Sequence, residues 1–186
     1  MELDVKKFNL LTKKNIIIMI IIFILIILGI SLFFILKHRN DENFKLISFS
    51  SQDNSFSVSV SNMYSFSQTA DESYLLNLHS DTYDSSIYVS EVSNSNIRNI
   101  EKFIEADKSD FISNFSNISE VSDVSKISIN NLEAYNYNFY YKDKVFVDVY
   151  WILMDSKFYI IDFRINTTDG DLKSHISDIL NTVNIN

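Results

Sequence analysis

Cysteine and proline are missing from this 186-residue chain, and glycine occurs only twice. Without cysteine there is no disulfide staple, no thiolate nucleophile and no lipid-modified cysteine anchor, so any folded part must be held by its core alone. Two glycines exclude a glycine-rich phosphate loop. Histidine, the usual general base near neutral pH, is limited to His38, His79 and His175. His38 lies between Lys37 and Arg39, His79 ends an apolar segment, and His175 sits one helical turn ahead of Asp178 and Ile179, so each reads as an exposed structural residue. No H-E-x-x-H and no G-x-S-x-G occurs. Hydrolase and nucleotide-binding classes therefore find little support, and no cofactor is expected.

What the chain has in excess is apolar length near its start. Ile16 to Leu36 is 21 residues without a charge, and about 20 residues at 1.5 Å rise cross a hydrocarbon core of about 30 Å. A cleavable export signal has a shorter apolar region and a small-residue cleavage step, and Leu32-Phe33-Phe34-Ile35-Leu36-Lys37 offers none. The expectation is an uncleaved span over 15–37, with the lipid bilayer as its first partner. Gly29 and Ser31 are its only small residues, too few for a close-packing helix seam. Lys6, Lys7, Lys13 and Lys14 precede the span, while Lys37 and Arg39 follow it, diluted by Asp41 and Glu42. That bias places 1–14 in the cytoplasm and the remainder outside the cell membrane. Residues 1–39 carry six cations against two acids and residues 40–186 carry ten against 22, giving formal charges of +4 and −12. So acidic an outer part is a poor partner for nucleic acid or anionic lipid. The abundance of Asn, Ile, Lys, Phe, Tyr and Ser fits AT-rich coding, as in a low-GC bacterium.

Residues 38–53 read as a polar stalk and 54–186 as one extracytoplasmic α+β domain. Phe56, Val58 and Val60 alternate with serines, the mark of a half-buried strand. Further strands are expected over Tyr64–Thr69, Tyr74–His79 and Ser86–Val92, completing a four-strand antiparallel meander. The period then changes. Ile97, Ile100, Phe103, Ile104, Phe111, Ile112 and Phe115 recur at three and four, which predicts an amphipathic helix capped by Ser95 or Asn96. After a polar stretch, Leu132–Tyr141, Val145–Met154 and Phe158–Ile165 are rich in β-branched and aromatic residues and predict two hairpins in series. Thr168-Asp169-Gly170-Asp171 then caps a terminal helix with Leu172, Ile176, Ile179, Leu180 and Val183 on one stripe. The central strand is apolar on both faces, interrupted only by Asp148, so it needs cover on both sides.

Two segments carry a family resemblance. "FSVSVSNMYSF" resembles the opening strand and turn of PsbP-like domains, with Ser61 and Tyr64 where that family commonly has a Pro-x-x-Trp-like step. "ISINNLEAYNYNFYY" is similar to the family's strand that opens on an Ile-x-Gly-like turn and an alanine, with Asn131 at the glycine and Ala134 retained. The resemblance covers about residues 50 to 184. It implies an α-β-α sandwich, antiparallel sheet flanked by helices, that binds or scaffolds without catalytic residues of its own.

The candidate interaction surface comes from the later strands. Tyr135, Tyr137, Phe139 and Tyr141 share one face of a single strand, a pattern that fills a core or docks a ligand. Asp148, Asp162 and Arg164 stand on neighbouring strands, where opposite charges can pair across the ladder into one polar patch. Acidic loops can hold calcium, and Asp81-Thr82-Tyr83-Asp84 and Asp169-Gly170-Asp171 are the two clusters available. Neither has the D-x-D-x-D-G spacing, and solvated turns account for both. The sequons at Asn114, Asn117 and Asn166 are chance products of an Asn- and Ser-rich chain. The function expected is a single-pass anchored, non-catalytic module binding another protein or an envelope component; the alternative is an extracytoplasmic ligand or calcium sensor, or a hydrolytic enzyme, using the acidic loops.

Overall fold

The computed structural model describes residues 45–67, 73–93, 97–142, 144–154, 156–166 and 170–186, and nearer the N-terminus 15, 18, 20–29 and 31. Met1–Phe44 and Lys45–Asn186 form separate compact units. In the first, residues 20–29 form helix α1, and Ile20 through Leu28 all expose their side chains. Among the described residues no helix is long and apolar enough to cross a membrane. The rest of the run expected to span, together with His38, lies outside the described residues.

The second unit is mixed α and β, with every strand pair antiparallel. It begins earlier than the expected boundary at 54. Leu46–Ser50 form β1, paired with β2 (Phe56–Ser61) from Leu46↔Ser61 to Ser50↔Ser57. Residues 46–50 are thus a strand and not a stalk, because Phe49 finds cover: it is buried and meets the Phe66 ring edge-on at 5.4 Å. Burying a phenylalanine stabilises by about 2 kcal/mol. The loop back to β2 closes on Asp53, whose carboxylate accepts from Ser51 Oγ at 2.7 Å, Ser55 N at 3.0 Å and Ser55 Oγ at 2.8 Å. Those three donors, Ser51 foremost, hold its pKa at about 2.

The expected four-strand meander is split between two sheets. Strand β2 pairs with β1 and with the C-terminal β11 (Asn184–Ile185) in a three-stranded sheet. Of the four, only β3 (Ser65–Phe66), β4 (Leu76–Ser80) and β5 (Ser85–Ser93) run consecutively in the larger one, whose order continues through β10 (Lys157–Asn166), β9 (Val145–Met154) and β8 (Leu132–Tyr141) to β6 (Ile118–Ser119), with β7 (Ser125–Ile129) also on β8. Local alternation announces a strand but not its partner, and Asn184 and Ile185, which pair with Ser57 and Phe56 of β2, lie far from it in sequence. Strands β8 (Leu132–Tyr141) and β9 (Val145–Met154) have the predicted bounds, and β10 (Lys157–Asn166) exceeds its prediction by one residue at each end. Strands β6 (Ile118–Ser119) and β7 (Ser125–Ile129) fall in the stretch read as polar. They are short edge strands lying one after the other along β8, with few apolar residues to betray them.

Helix α2 (Ile100–Ser113) starts later than predicted, at an N-cap supplied by Asn99, whose Oδ1 accepts from Lys102 N at 3.0 Å. Ser95 and Asn96, the expected caps, lie outside the described residues. The helix covers one face of the large sheet, where Ile104 is buried with Tyr135, Tyr137, Phe139, Val147, Val149, Trp151 and Phe158. On the opposite face Phe56 of β2 stacks on Tyr159 at 5.6 Å, and helix α3 (Gly170–Leu180) lies near Phe146 and Tyr150. The cap expected from Thr168 and Asp169 lies outside the described residues. Cover on both faces is what the doubly apolar β9 required.

Candidate functional site

Strand β10 sets the site. Successive strand residues point to opposite faces, so Asp162 and Arg164, two apart, share one face with Phe158 and Ile160. The register aligns Tyr137, Val149, Asp162 and Tyr88 in one row across β8, β9, β10 and β5, on the face that α2 covers. From the helix, Asp107 and Phe111 reach the same place. Together with Tyr74 these residues line a cavity of about 140 Å³.

The electrostatics are uneven. Asp162 is only 7 % exposed, and its Oδ2 accepts two donors, Arg164 Nε at 2.8 Å and Nη2 at 2.7 Å. Its Oδ1 is buried and has no hydrogen-bond partner. A guanidinium that crowds one oxygen and leaves the other bare is unusual, since forked pairing would engage both. A buried acceptor left open costs about 1–3 kcal/mol, more when charged. Burial pushes the Asp162 carboxyl up, with Arg164 opposing. Asp107 is also raised, by partial burial and then by Asp110. Burial, and after it the charges of Asp107 and Asp162, push the Tyr137 phenol far above its ordinary range, so it stays neutral. The Trp151 indole N–H lies near enough to Tyr137 to oppose that shift slightly, yet it makes no hydrogen bond. The Arg164 guanidinium sits 4.5 Å from the Tyr88 ring centre, with Phe111 and Phe115 at 5.6 and 5.7 Å.

Of the residues named from sequence, the structure unites Tyr137, Asp162 and Arg164. The polar patch expected from Asp148, Asp162 and Arg164 does not form. Asp148 pairs with Phe163 in the register while Asp162 pairs with Val149, which puts the two acids on opposite faces of the sheet. There both Asp148 oxygens are occupied, by Asn136 Nδ2 at 2.7 Å and Tyr150 Oη at 2.8 Å, and burial raises its pKa against those bonds. Tyr135 donates to Glu133 at 2.8 Å further along β8, and Phe139 is in the core. Tyr141 packs edge-on against Phe115 at 5.2 Å. The aromatic stripe therefore fills the α2 core, with only Tyr137 reaching the cavity. Sequence reasoning missed Asp107, although a signal existed: it stands three residues after Ile104 and four before Phe111, a lone acid on an apolar helical stripe.

Elsewhere, His79 contacts Ser86 Oγ through Nδ1 at 3.0 Å and Asp81 through Nε2 at 3.3 Å, in an open cleft of about 520 Å³. Asp81 is fully exposed, so this chain of contacts has no buried orienting acid. His175 pairs with Asp178 at 3.0 Å. No cluster of three or more His, Cys, Asp or Glu that could hold a metal ion occurs among the described residues.

No family model and no curated protein matches the chain. Solved structures do. Cyanobacterial PsbP (CyanoP) from Synechocystis superposes with a TM-score of 0.55 at 10 % identity, over 76 % of this chain and 92 % of its own. The fold is PsbP-like. The Saccharomyces cerevisiae Ran-binding protein Mog1p matches with a TM-score of 0.53 at 7 % identity, over 76 % and 96 %. A Bacteroides thetaiotaomicron protein gives 0.52 at 11 %, over 75 % of this chain and 48 % of its own. The PsbP-like fold thus accommodates this chain at only 7–11 % identity to those proteins, and the cavity residues must be judged on their own chemistry.

Proposed function

We propose that the chain is a single-pass membrane protein whose acidic, PsbP-like outer domain binds another protein or an envelope component and turns nothing over. The observation that carries this reading is the cavity under α2. Its lining brings together Asp162, paired with Arg164, and a second raised carboxyl, Asp107, among aromatic rings, while the described lining has Ser90 but no histidine to take its proton. Such a site recognises a group without attacking it. A protein of the same fold that binds Ran supplies a precedent for a protein partner. The anchor rests on the uncharged run Ile16–Leu36 and on the exposed apolar side chains of α1, and the orientation on the lysines before it.

Two measurements test the reading separately. Protease added to intact cells is expected to remove the domain beyond residue 45 and leave the first 36 residues in the membrane; full protection, or a shortened soluble product in the medium, overturns the anchor and its orientation. Affinity capture from detergent-solubilised membranes is expected to recover a stoichiometric partner, and capture is expected to weaken in Asp162→Asn. A domain isolated alone at native abundance overturns the binding role.

A further inference from the structure

The exposed apolar side chains of the second unit are gathered at one edge. Among its described residues the large ones are Ile47, Met63, Phe66 and Val121. Ile47 and Phe66 lie on β1 and β3, each the end strand of its sheet. Ile47 and Phe49 share a face of β1 opposite Val60 and Val58, and Phe66 stands opposite Leu78, with all three partners buried. Because Phe49 and Phe66 meet edge-on, the core between the two sheets runs out to the surface here, through Ile47 and Phe66. Met63 lies in the turn that joins β2 to β3, where Asn62 N donates to Lys45 O at 2.8 Å. We propose that this edge is a second membrane contact, with Ile47, Met63 and Phe66 set into the interfacial layer of the bilayer that holds the anchor. The inference rests on the anchor described above and adds a lipid-facing surface on the domain itself.

The occupant follows from where the tether ends. The uncharged run stops at Leu36 and the described domain starts at Lys45, and the eight residues between them reach at most about 30 Å. Ile47 is two residues from Lys45, and the turn carrying Met63 is bonded to it. The apolar edge thus begins where the tether arrives, and tethering supplies the effective concentration that three side chains on a free domain would lack. Lys45 is exposed beside them, with Lys37 and Arg39 before it in the tether, and long cationic side chains suit the headgroup level. Residues 40–186 carry a formal charge of −12, so attraction to anionic headgroups is not the driving force and a neutral lipid suffices. Solvation alone gives no reason for Ile, Met and Phe at a sheet edge, which is ordinarily blunted by charge. Helix α2 and its cavity stand on the opposite face of the large sheet from β2, so a partner bound there is not displaced.

The test uses the full chain in phosphatidylcholine nanodiscs, isotope-labelled at its methionine methyls, with nitroxide-bearing lipid as the probe. Met19 reports on the anchor and Met63 on the edge, while Met154, on β9 four strands from β3, is the reference. A nitroxide on the acyl chain is expected to broaden Met19, and one at the headgroup to broaden Met63 several-fold more than Met154. Ile47→Ser combined with Phe66→Ser should lower the docked population about tenfold, bringing Met63 to the Met154 level while the Met154 shift is unchanged. Inserting about twenty Gly and Ser residues after Asn40 leaves the domain untouched and should retain the broadening, because effective concentration falls only slowly with tether length. Met63 no more broadened than Met154, as an edge covered by other chain or by a second copy would give, overturns the proposal. So does broadening that the folded double variant retains. Broadening that the longer tether abolishes marks nearness without contact and overturns it too, whether or not the double variant folds. Met19 broadened with Met63 spared keeps the anchor and loses this inference, whereas Met19 spared overturns both.

Discussion

Asn131 has a backbone φ of 65° and Asn130 one of 50°, the left-handed conformation at both central positions of the two-residue turn between β7 and β8. In a chain with two glycines, asparagine does the work glycine would do elsewhere, because its short polar side chain tolerates that region. Asn130 does more, since its Nδ2 donates to Val183 O at 2.8 Å and Asn181 O at 3.3 Å beyond the end of α3. Asn130→Ala loses those donors and places a Cβ-bearing residue in αL without local hydrogen bonding. The expected cost is about 1–3 kcal/mol, read as a lower midpoint in chemical denaturation with unchanged slope. Asn131→Gly removes the backbone strain without touching a partner, and should leave the midpoint equal or higher.

At the scale of the element, α2 is the piece that makes the site. Its stripe buries Ile104 against Trp151 and Phe158, and its Phe103 ring meets Trp151 edge-on at 5.8 Å. The same packing brings Asp107 over the Asp162 row. The cap at Asn99 fixes where the helix begins, so Asn99→Ala is expected to cost about 1 kcal/mol. The cap is exposed, so the loss is expected to show as a lower midpoint in chemical denaturation with unchanged slope. The helix was legible in sequence from its three-and-four spacing. Its start was not, because Ser95, Asn96 and Asn99 are all competent caps and only the packing of the first turn chooses among them.

Over the whole domain, the buried acids give stability an unusual dependence on pH. Asp107 and Asp162 have folded pKa values raised above the unfolded value, so between the two values the folded chain holds protons that the unfolded chain gives up. Their contribution is therefore most favourable at low pH and is lost as pH rises through the folded values. Asp107→Asn should accordingly stabilise the domain at pH 7, by less than about 1 kcal/mol for so solvent-screened a group, and the gain should vanish below about pH 4, near the unfolded carboxyl value. Thermal unfolding of both chains at pH 4, 5.5 and 7 checks the sign. Asp53 acts in the opposite sense: held at about 2 by Ser51 and Ser55, it favours the folded state above the unfolded carboxyl value and is lost only as pH falls through 2.

The amino-acid order alone determined the apolar run, the charge split, the strands β8, β9 and β10 and the amphipathic helix, because each is written in a local period of two or of 3.6 residues. Tertiary structure decided what those periods leave open. Whether Phe49 ends a stalk or fills a core depends on a ring at position 66, and which sheet β2 joins depends on its pairing with β1 and with residues 184–185. Asp148 and Asp162 look alike in sequence, yet the pleat sends one to a satisfied pair of donors and the other to the α2-covered face with one buried oxygen unpaired. Side-chain direction on a strand follows from counting residues, but which oxygen finds a partner depends on groups brought from five different elements.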